Sequence, residues 1–337
     1  MKITLKDIAE KANVSVTTVS LVLNDRPCRI SLEKKKLIKQ IAEEYNYSAN
    51  QIARSLVTKE TKMLGLILPD IGNIFFSSLA KNLEEVCRKE GYTLIISNTN
   101  DQYEQDLKLL HFLHNRSVDG IFIIPSNESY KNNRQLLEQL EKLTIPYVML
   151  DRVFSEHACD KVIFDNEKGA YLAVKYLIEK GHRKIGCIAS SFSSINGKYR
   201  LQGYKKAMDE NNCEIVSDYI VEGNYRLESG YNAGKKLLSS KITAVFVMND
   251  MMSLGFLKLL NERNEKVPQD ISLVSYDNTI NPYLIGLELT SVEQNVKDLT
   301  QAGLHLLLSR IKDPKKTHKE ICLTPKLIEK NSVREIN

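Results

Sequence analysis

Acids, amides, arginines and aromatic residues recur where buried strands are predicted to end. Apolar runs such as MLGLILP and ISLVSYD read as strands, and each is followed by such side chains. Since ligands of parallel sheets bind at the carboxyl ends of the strands, we expect these side chains to converge. They are Asn73, Phe75, Phe76, Asp151, Arg152, Phe164, Asp165, Asn166, Arg200, Asn249, Asp250, Asp277 and Gln294.

The chemistry of this set fits a polyol better than a phosphate. Carboxylates and amides can bind vicinal hydroxyls, and aromatic rings can stack on the apolar face of a sugar ring. A phosphate site would instead need clustered arginines and lysines. A single acid after a strand is usually a helix cap, an interpretation that we adopt for Asp250 and leave open for Asp165.

A second group of residues lies in the opening stretch ITLKDIAEKANVSVTTVSLVLN. Thr4 and Asp7 have the spacing of a capping box, and Ser15 can cap a second helix. Two short helices joined by a tight turn predict a helix-turn-helix, although a helical hairpin inside a larger core would look the same locally. The second helix would turn four residues outward, where this motif meets base edges and phosphates: Thr17, Thr18, Ser20 and Leu21.

The positive charge of the chain is confined to its N-terminal part. Residues 1–62 hold 12 Lys and Arg against 7 Asp and Glu, whereas the remainder holds 35 of each, so the whole net charge of +5 lies in that segment. This distribution is typical of a protein in which that segment alone meets a polyanion. The charge alone would also fit an arm that binds a membrane surface. This interpretation is less favoured, because the lysines alternate with core positions of helices and do not form a tail.

Other functional classes find little support in the sequence. No apolar run is long enough to span a bilayer, and the N-terminus lacks the apolar block of a signal peptide. The six cysteines are scattered without a CxxC pair, which predicts reduced thiols in a cytoplasmic protein. His111 and His114 could share a helix face, but a third metal ligand is missing nearby in the sequence. The chain has no Walker loop, GxGxxG or nucleophile elbow, so we expect no catalytic residue and no cofactor.

The pattern after residue 62 alternates between strands and helices. Two successive sets of such elements predict two lobes, each with a mainly parallel, doubly wound sheet. The segment 57–62 reads as a short polar connector.

The opening three helices, followed by Tyr47, Asn50, Ala53, Arg54 and Leu56, resemble the lactose-repressor (LacI/GalR) family of bacterial regulators. The resemblance covers nearly the whole chain. It implies an all-α helix-turn-helix headpiece joined to an α/β two-lobed core like that of periplasmic binding proteins, with parallel doubly wound sheets.

The resemblance also implies the residues that meet DNA. Two positions depart from the family pattern: Ala49 stands where a proline usually precedes the hinge helix, and Leu21 stands where relatives often carry a polar or basic side chain. Members of the family insert a leucine of the hinge helix into the minor groove of DNA, and Leu56 occupies the matching position in this chain. The implied DNA-binding residues are Thr4, Ser15, Val16, Thr17, Thr18, Ser20, Leu21, Asn24, Asn50, Ala53, Arg54 and Leu56.

The family architecture implies definite boundaries along this chain. The headpiece would comprise residues 1–46, and the hinge helix with its linker residues 47–61. The core would comprise residues 62–337, with an N-lobe of about 62–160 and 292–320 and a C-lobe of about 161–291 and 321–330. Family members bind DNA as dimers, and a tetramerising heptad tail is missing after residue 330, so we expect a homodimer.

Positions that match the family's effector cleft look like a monosaccharide set and are closest to those of ribose binders. They are Phe75, Phe76, Asp151, Arg152, Arg200, Asn249, Asp277 and Gln294, to which we add Asn73, with Phe164 and Tyr225 at positions that supply apolar walls. Ser194 stands where the purine-binding branch has an arginine, which argues against a purine. Ile74 replaces a proline that is common in relatives.

These observations favour an allosteric DNA-binding repressor of a carbohydrate utilisation operon, controlled by a small sugar that is ribose-like. Within the same class, a catabolite-control regulator that uses a phosphoprotein corepressor is the alternative. From another class, a sugar-binding protein of transport or chemoreception would share the cleft, but the basic headpiece and the missing signal peptide count against it. A sugar-modifying enzyme would need a paired base and nucleophile that the sequence does not offer.

Overall fold

A computed structural model describes residues 3–23, 25–45, 47, 60–191 and 194–336. The chain divides into two compact units, Met1–Thr61 and Lys62–Asn337. Within the described ranges, no helix combines the length and the apolar composition needed to cross a lipid bilayer.

The described residues of the first unit form three short helices around a small apolar core: α1 (Leu5–Ala12), α2 (Val16–Leu23) and α3 (Leu32–Glu44). The capping box at the start of α1 is present, since the Thr4 N–H donates to the Asp7 carboxylate over 2.7 Å and the Asp7 N–H donates back to the Thr4 hydroxyl. Asn13 ends α1 in the left-handed conformation, which turns the chain sharply into α2. Ile8, Val19 and Ile38 are fully buried and join the three helices.

In the part of the second unit that the structure describes, two six-stranded sheets are present, each in its own lobe. The strands of the first sheet are all parallel and follow the order β11-β5-β4-β3-β1-β2. Its strands are β1 (Met63–Leu68), β2 (Thr93–Asn98), β3 (Gly120–Ile123), β4 (Tyr147–Leu150), β5 (Asp160–Phe164) and β11 (Glu320–Leu323). The helices of this lobe are α4 (Ile74–Lys89), α5 (Tyr103–Asn115), α6 (Arg134–Glu141) and α11 (Val296–Lys312).

The second sheet follows the order β12-β10-β9-β8-β6-β7 and is parallel except for β12, which runs antiparallel to β10. Its strands are β6 (Ile185–Ala189), β7 (Ile220–Glu222), β8 (Ala244–Val247), β9 (Ser272–Asp277), β10 (Thr290–Glu293) and β12 (Lys326–Ile328). Its helices are α7 (Asn166–Glu179), α8 (Ile195–Glu210), α9 (Leu227–Leu237) and α10 (Asp250–Glu262). Both sheets have helices on their two faces, which confirms the predicted fold class.

The crossings between the lobes differ from the predicted lobe boundaries. The sequence prediction assigned residues 161–164 and 321–323 to the C-lobe, but β5 pairs with β4 and β11 in the first sheet. Conversely, residues 292–293, predicted for the N-lobe, complete β10 in the second sheet. These approximate boundaries were implied by the family resemblance, and the apolar runs of this sequence could not refine them, because a buried apolar run shows that a strand exists without showing which sheet it joins.

The helices α9 and α10 approach each other through glycines. A Cβ atom at Gly230 would lie 2.1 Å from the carbonyl oxygen of Met252, and one at Gly255 would lie 1.9 Å from that of Leu227. Since both helices begin at the end of the second sheet that faces the first lobe, this close contact fixes the two loops that precede them.

Candidate functional site

The carboxyl ends of the two sheets face a common cavity with an empty volume of about 270 Å³. Nine of the eleven predicted effector residues line it, together with Asn196. The lining residues are Asn73, Phe75, Phe76, Asp151, Arg152, Asn196, Arg200, Tyr225, Asp277 and Gln294.

The first lobe contributes an aromatic corner. The side chain of Asn73 caps α4 by accepting a hydrogen bond from the Phe75 N–H over 3.0 Å. This cap places Phe75 and Phe76 in the first turn of the helix, with their rings 5.3 Å apart in an edge-to-face arrangement. Both rings are only 3% exposed and form an apolar wall of the cavity.

The guanidinium of Arg152 lies between two aromatic rings that belong to different lobes. Its central carbon is 5.2 Å from the ring of Phe76 and 5.4 Å from that of Tyr225. One of its nitrogens donates to the Asp101 carboxylate over 2.7 Å, and Asp101 also accepts two hydrogen bonds of 2.8 Å from Asn127. Arg152 is therefore held in place by its own lobe and touches the opposite one.

The second buried guanidinium, Arg200, is committed to several partners in the second lobe. It donates to the side chain of Asn166 over 2.7 Å, to that of Gln294 over 3.1 Å and to the carbonyl of Met248. Its central carbon lies 3.7 Å from the centre of the Tyr276 ring. The remaining amide nitrogen of Gln294 is buried without a hydrogen-bond partner among the described residues, so it can donate to a ligand.

Two buried carboxylates complete the cavity. Asp277 lies 3.7 Å from a guanidinium nitrogen of Arg200, and Asp151 accepts a hydrogen bond of 3.2 Å from Asn196. Burial raises the pKa of Asp277 well above its ordinary value and also raises the pKa of Asp151, with Arg200 opposing both shifts. Each carboxylate is thus costly to bury unless a further hydrogen-bond donor reaches it.

Asn196 was missed by the sequence analysis, although a signal for it exists. Ser194 caps α8, which places Asn196 in the first turn of that helix, four residues before Arg200 and hence on the same face. The hydroxyl of Ser194 also hydrogen-bonds that of Tyr225 over 2.9 Å.

Two predicted effector residues do not line this cavity. Phe164 lies in an adjoining crevice, because β5 belongs to the first sheet and ends beyond Asp151. Asn249 caps α10 by accepting from the Met252 N–H, and its amide donates to the carbonyl of Tyr225 over 3.2 Å. Asn249 therefore shapes the cavity by holding the backbone of Tyr225.

The two acids with an expected capping role behave differently. Asp165 caps α7 by accepting from the Lys168 N–H over 2.9 Å. Asp250 is not the cap of α10; its buried carboxylate holds the loop after β9 through hydrogen bonds from Ser275, Thr279 and Ile280. Asp277 ends β9 between Ser275 and Thr279, so Asp250 positions a residue of the cavity.

The predicted DNA-facing residues of the first unit lie around α2. Ser15 accepts from the Thr18 N–H over 3.1 Å, as a helix cap does. Val16 and Thr17 are exposed, and Ser20 and Leu21 are half-buried. The predicted residues Asn24, Asn50, Ala53, Arg54 and Leu56 lie outside the described residues. Among those described, no group of three or more His, Cys, Asp or Glu could hold a metal ion.

Comparisons with known proteins agree with this architecture. The model for bacterial regulatory proteins of the lacI family matches residues 4–50, and that for a periplasmic binding protein-like domain matches residues 174–333. The chain is 35% identical over 337 residues to the HTH-type transcriptional repressor PurR of Vibrio vulnificus (strain CMCP6), covering 99% of both chains.

Two solved structures are similar in fold. A lac repressor dimer bound to operator and an anti-inducer superimposes with a TM-score of 0.86 at 25% identity, covering 99% of this chain and 100% of that one. A LacI family regulator from Enterococcus faecium with bound ribose has a TM-score of 0.73 at 30% identity, covering 82% of this chain and 100% of that one. With its helical headpiece and two-lobed core, the chain belongs to the LacI family of bacterial regulators and is a DNA-binding transcriptional repressor, not an enzyme.

Proposed function

We propose that the protein represses a carbohydrate utilisation operon and that a small, ribose-like sugar in the cavity between the lobes controls its binding to operator DNA. The observation that carries the proposal is the composition of this cavity, in which two buried carboxylates, three amides and two arginines surround an apolar corner. Buried polar groups of this kind need hydrogen-bond partners, and the hydroxyls of a sugar supply both donors and acceptors.

The charge balance of the cavity favours a neutral ligand. Asp151 and Asp277 offset Arg152 and Arg200, and both arginines already bind protein groups. A phosphate would need guanidinium or ammonium groups that are free to bind it. We therefore assign Asp151, Asp277 and Gln294 to sugar hydroxyls and the Phe76 ring to the apolar face of the sugar.

The same geometry suggests how the sugar would act at a distance. Residues of both lobes line the cavity, for example Phe76 in the first and Arg200 in the second. A ligand that touches both lobes binds one relative lobe orientation better than another, and only this difference in affinity can change operator binding. The sugar strengthens operator binding if the lobe orientation that it favours is also the one that binds DNA, and it weakens operator binding if the two orientations differ.

For the DNA side, we infer a homodimer on a pseudo-palindromic operator, as two symmetry-related headpieces require. The solved lac repressor that resembles this chain is a dimer bound to its operator. Operator affinity should fall steeply with salt, because lysines and arginines of residues 1–62 would displace counterions from phosphates. Footprinting should show two half-sites of opposite orientation; a single asymmetric half-site would contradict the dimer.

A ligand panel tests the control by sugar. We expect D-ribose to raise the melting temperature of the full-length protein and to shift its operator affinity, in preference to other pentoses, hexoses, sugar phosphates and purine bases. A sugar at 100 times its Kd stabilises the folded protein by about 2.7 kcal/mol, which a thermal-shift assay detects. Stabilisation by hypoxanthine or guanine in place of any sugar would overturn the proposal.

A further inference from the structure

A second cavity, larger than the first, adjoins the proposed sugar site. This side crevice is bounded by Ile163, Phe164, Glu167, Ile195, Tyr199 and Glu320 and has an empty volume of about 810 Å³, compared with about 270 Å³ for the sugar cavity. Asp151 and Asn196 line both spaces, and the hydrogen bond of 3.2 Å between them forms the shared wall. A ligand that spans both spaces must therefore part this pair and take up its hydrogen-bonding groups.

The side crevice has one flat aromatic surface available to a ligand. Tyr199 lies on α8, one residue before Arg200, and its side chain is 42% exposed. Phe164 also bounds the crevice but is 97% buried, so its ring offers little surface to a ligand. Ile163 and Ile195 add partly buried aliphatic surface on the two sides. This arrangement suits a flat ring, because an aromatic side chain can stack on the face of another ring whatever that ring's substituents are.

The charged groups that line the side crevice are all carboxylates. Asp151, Asp165, Glu167 and Glu320 bring four carboxyl groups to it, while the described lining contains no lysine or arginine. Two of these carboxylates form ion pairs with lysines outside the lining, Glu167 with Lys206 at 3.3 Å and Glu320 with Lys161 at 3.8 Å. Such a lining repels phosphate and accepts hydrogen bonds from N–H or O–H groups on an uncharged ring.

Both lobes contribute to the side crevice, as they do to the sugar cavity. Ile163 and Phe164 end β5 in the first sheet and Glu320 begins the neighbouring strand β11, whereas Ile195 and Tyr199 belong to α8 of the second lobe. A group bound there would touch both lobes and add to the preference for one lobe orientation.

We propose that the side crevice is a second subsite and that the effector is an extended ribose derivative, a riboside whose uncharged second ring lies against Tyr199. The ribose ring would occupy the sugar cavity, and the bond to the second ring would pass Asp151 and Asn196. This inference rests on the proposed function and narrows its ligand class. The second ring can be a nucleobase or another sugar, since both present N–H or O–H donors and a face that stacks.

Calorimetry on the full-length protein tests the proposal with D-ribose, phenyl β-D-ribofuranoside, adenosine, cytidine and a ribose-containing disaccharide as probes. We expect at least one riboside to bind at least tenfold more tightly than ribose. Tyr199→Ala should reduce the affinity for that riboside by about 5- to 100-fold, the range for loss of one stacked ring. It should leave the Kd for ribose within about twofold, because Tyr199 does not line the sugar cavity.

Two control variants separate stacking from general damage. Tyr199→Phe keeps the ring and should retain the tighter riboside binding. Phe112→Ala removes a ring of equal exposure, 42%, from α5 and should change no affinity. Which probe binds most tightly shows whether the second ring is a base or a sugar.

The outcomes distinguish this proposal from the one on which it rests. If ribose binds but no riboside binds more tightly, or if the gain persists in Tyr199→Ala, the second subsite is wrong and the sugar-controlled repressor stands. If neither ribose nor any riboside binds, both proposals are wrong.

Discussion

Three residues around the proposed sugar site have a left-handed backbone that side chains other than glycine rarely adopt. The φ angles are 59° at Asp151, 66° at Tyr225 and 95° at Asp277. Such conformations cost roughly 1–3 kcal/mol each and persist where surrounding contacts impose them. Here the left-handed backbone lies at the three residues whose two carboxylates and one aromatic ring enter the same cavity. The site is therefore assembled from locally strained positions.

Asp277 provides the first prediction. Asp277→Ala should abolish the response to the sugar and leave operator affinity in its absence within about twofold, since no DNA contact is removed. An unpaired sugar hydroxyl in a dry cavity costs roughly 1–3 kcal/mol, or about 5- to 150-fold in affinity. Calorimetry with the active sugar beside an operator titration measures both. Unchanged sugar affinity would contradict this assignment, and lowered stability with an intact response would indicate a merely structural aspartate.

The pH dependence of stability gives an independent check on the same residue. Because burial raises the pKa of Asp277, the folded protein binds this proton more tightly than the unfolded chain does. The stability due to this group is thus present at low pH and is lost as pH rises through the raised pKa. Without sugar, Asp277→Asn should melt about 2 °C or more above wild type at pH 7. The gap should close as pH falls toward the ordinary aspartate pKa of about 3.9.

The second prediction concerns Asp101, which touches Arg152 but does not line the cavity. Although burial opposes it, the charge of Arg152 and the hydrogen bonds from Asn127 lower the pKa of Asp101, which indicates a tight ion pair. Asp101→Asn should weaken sugar binding by about tenfold or more, because a hydrogen bond between charged groups contributes roughly 1.5–3 kcal/mol.

If Asp101 acts by positioning Arg152, the effects of changing the two residues should depend on each other. When Asp101→Asn is combined with Arg152→Lys, the losses of sugar affinity should be less than additive, since both changes break one interaction. Additive losses would show that Asp101 acts by another route. The melting temperature of the sugar-free variants serves as the control for general destabilisation.

At the scale of elements, local sequence signals identified most of the site because caps and strand ends are local features. Asn73 caps α4 and so fixes Phe75 and Phe76, and the spacing of Thr4 and Asp7 was sufficient to locate α1. Nine of the eleven effector positions inferred from strand ends and family resemblance do line the cavity.

The errors arise where a position depends on which strands are neighbours. Phe164 ends a strand, as predicted, but that strand lies between β4 and β11, which places the ring in the side crevice. Asn196 lies in the first turn of α8, and its partner Asp151 is 45 residues away in the chain and on the other lobe. A single sequence contains no signal for such a pairing.

The third prediction concerns the hinge, which lies outside the described residues. Leu56 matches the family's hinge leucine, which enters the minor groove, and such a wedge offsets a few kcal/mol of base unstacking by bending the DNA. Leu56→Ala should lower operator affinity by at least tenfold while sugar affinity and melting temperature stay nearly unchanged. A fall of several degrees in melting temperature would instead show that Leu56 packs on the core.

At the scale of the molecule, contacts across the cavity hold the two lobes of the second unit together. One is the hydrogen bond between Asn196 and Asp151, and another is the contact of Arg152 with the ring of Tyr225. A third is the Asn100–Arg226 bridge, in which the guanidinium of Arg226 donates to the side chain of Asn100 over 3.1 Å. Both residues of this bridge are exposed and neither lines the sugar cavity, so it can favour this lobe arrangement without touching the ligand.

The fourth prediction follows from this bridge. Removing it with Arg226→Ala should reduce the population of the arrangement that binds sugar, and the apparent Kd should rise in proportion. An exposed hydrogen bond contributes roughly 0.5–1.5 kcal/mol, so the expected loss is about two- to tenfold. The loss should be equal for every sugar that binds, because the contacts to the ligand are unchanged.

Asn100→Ala removes the other half of the bridge and should give the same loss, with no further loss in the double variant. Arg263→Ala, a change at an exposed arginine whose recorded partner is Glu265 in the same lobe, is the matched control and should leave the Kd unchanged. Small-angle scattering of the sugar-free protein should show a larger radius of gyration for Arg226→Ala than for wild type, and the difference should vanish when sugar saturates both. An altered order of preference among sugars would instead mean that Arg226 contacts the ligand, and an unchanged Kd would show that the bridge has no part in holding the lobes.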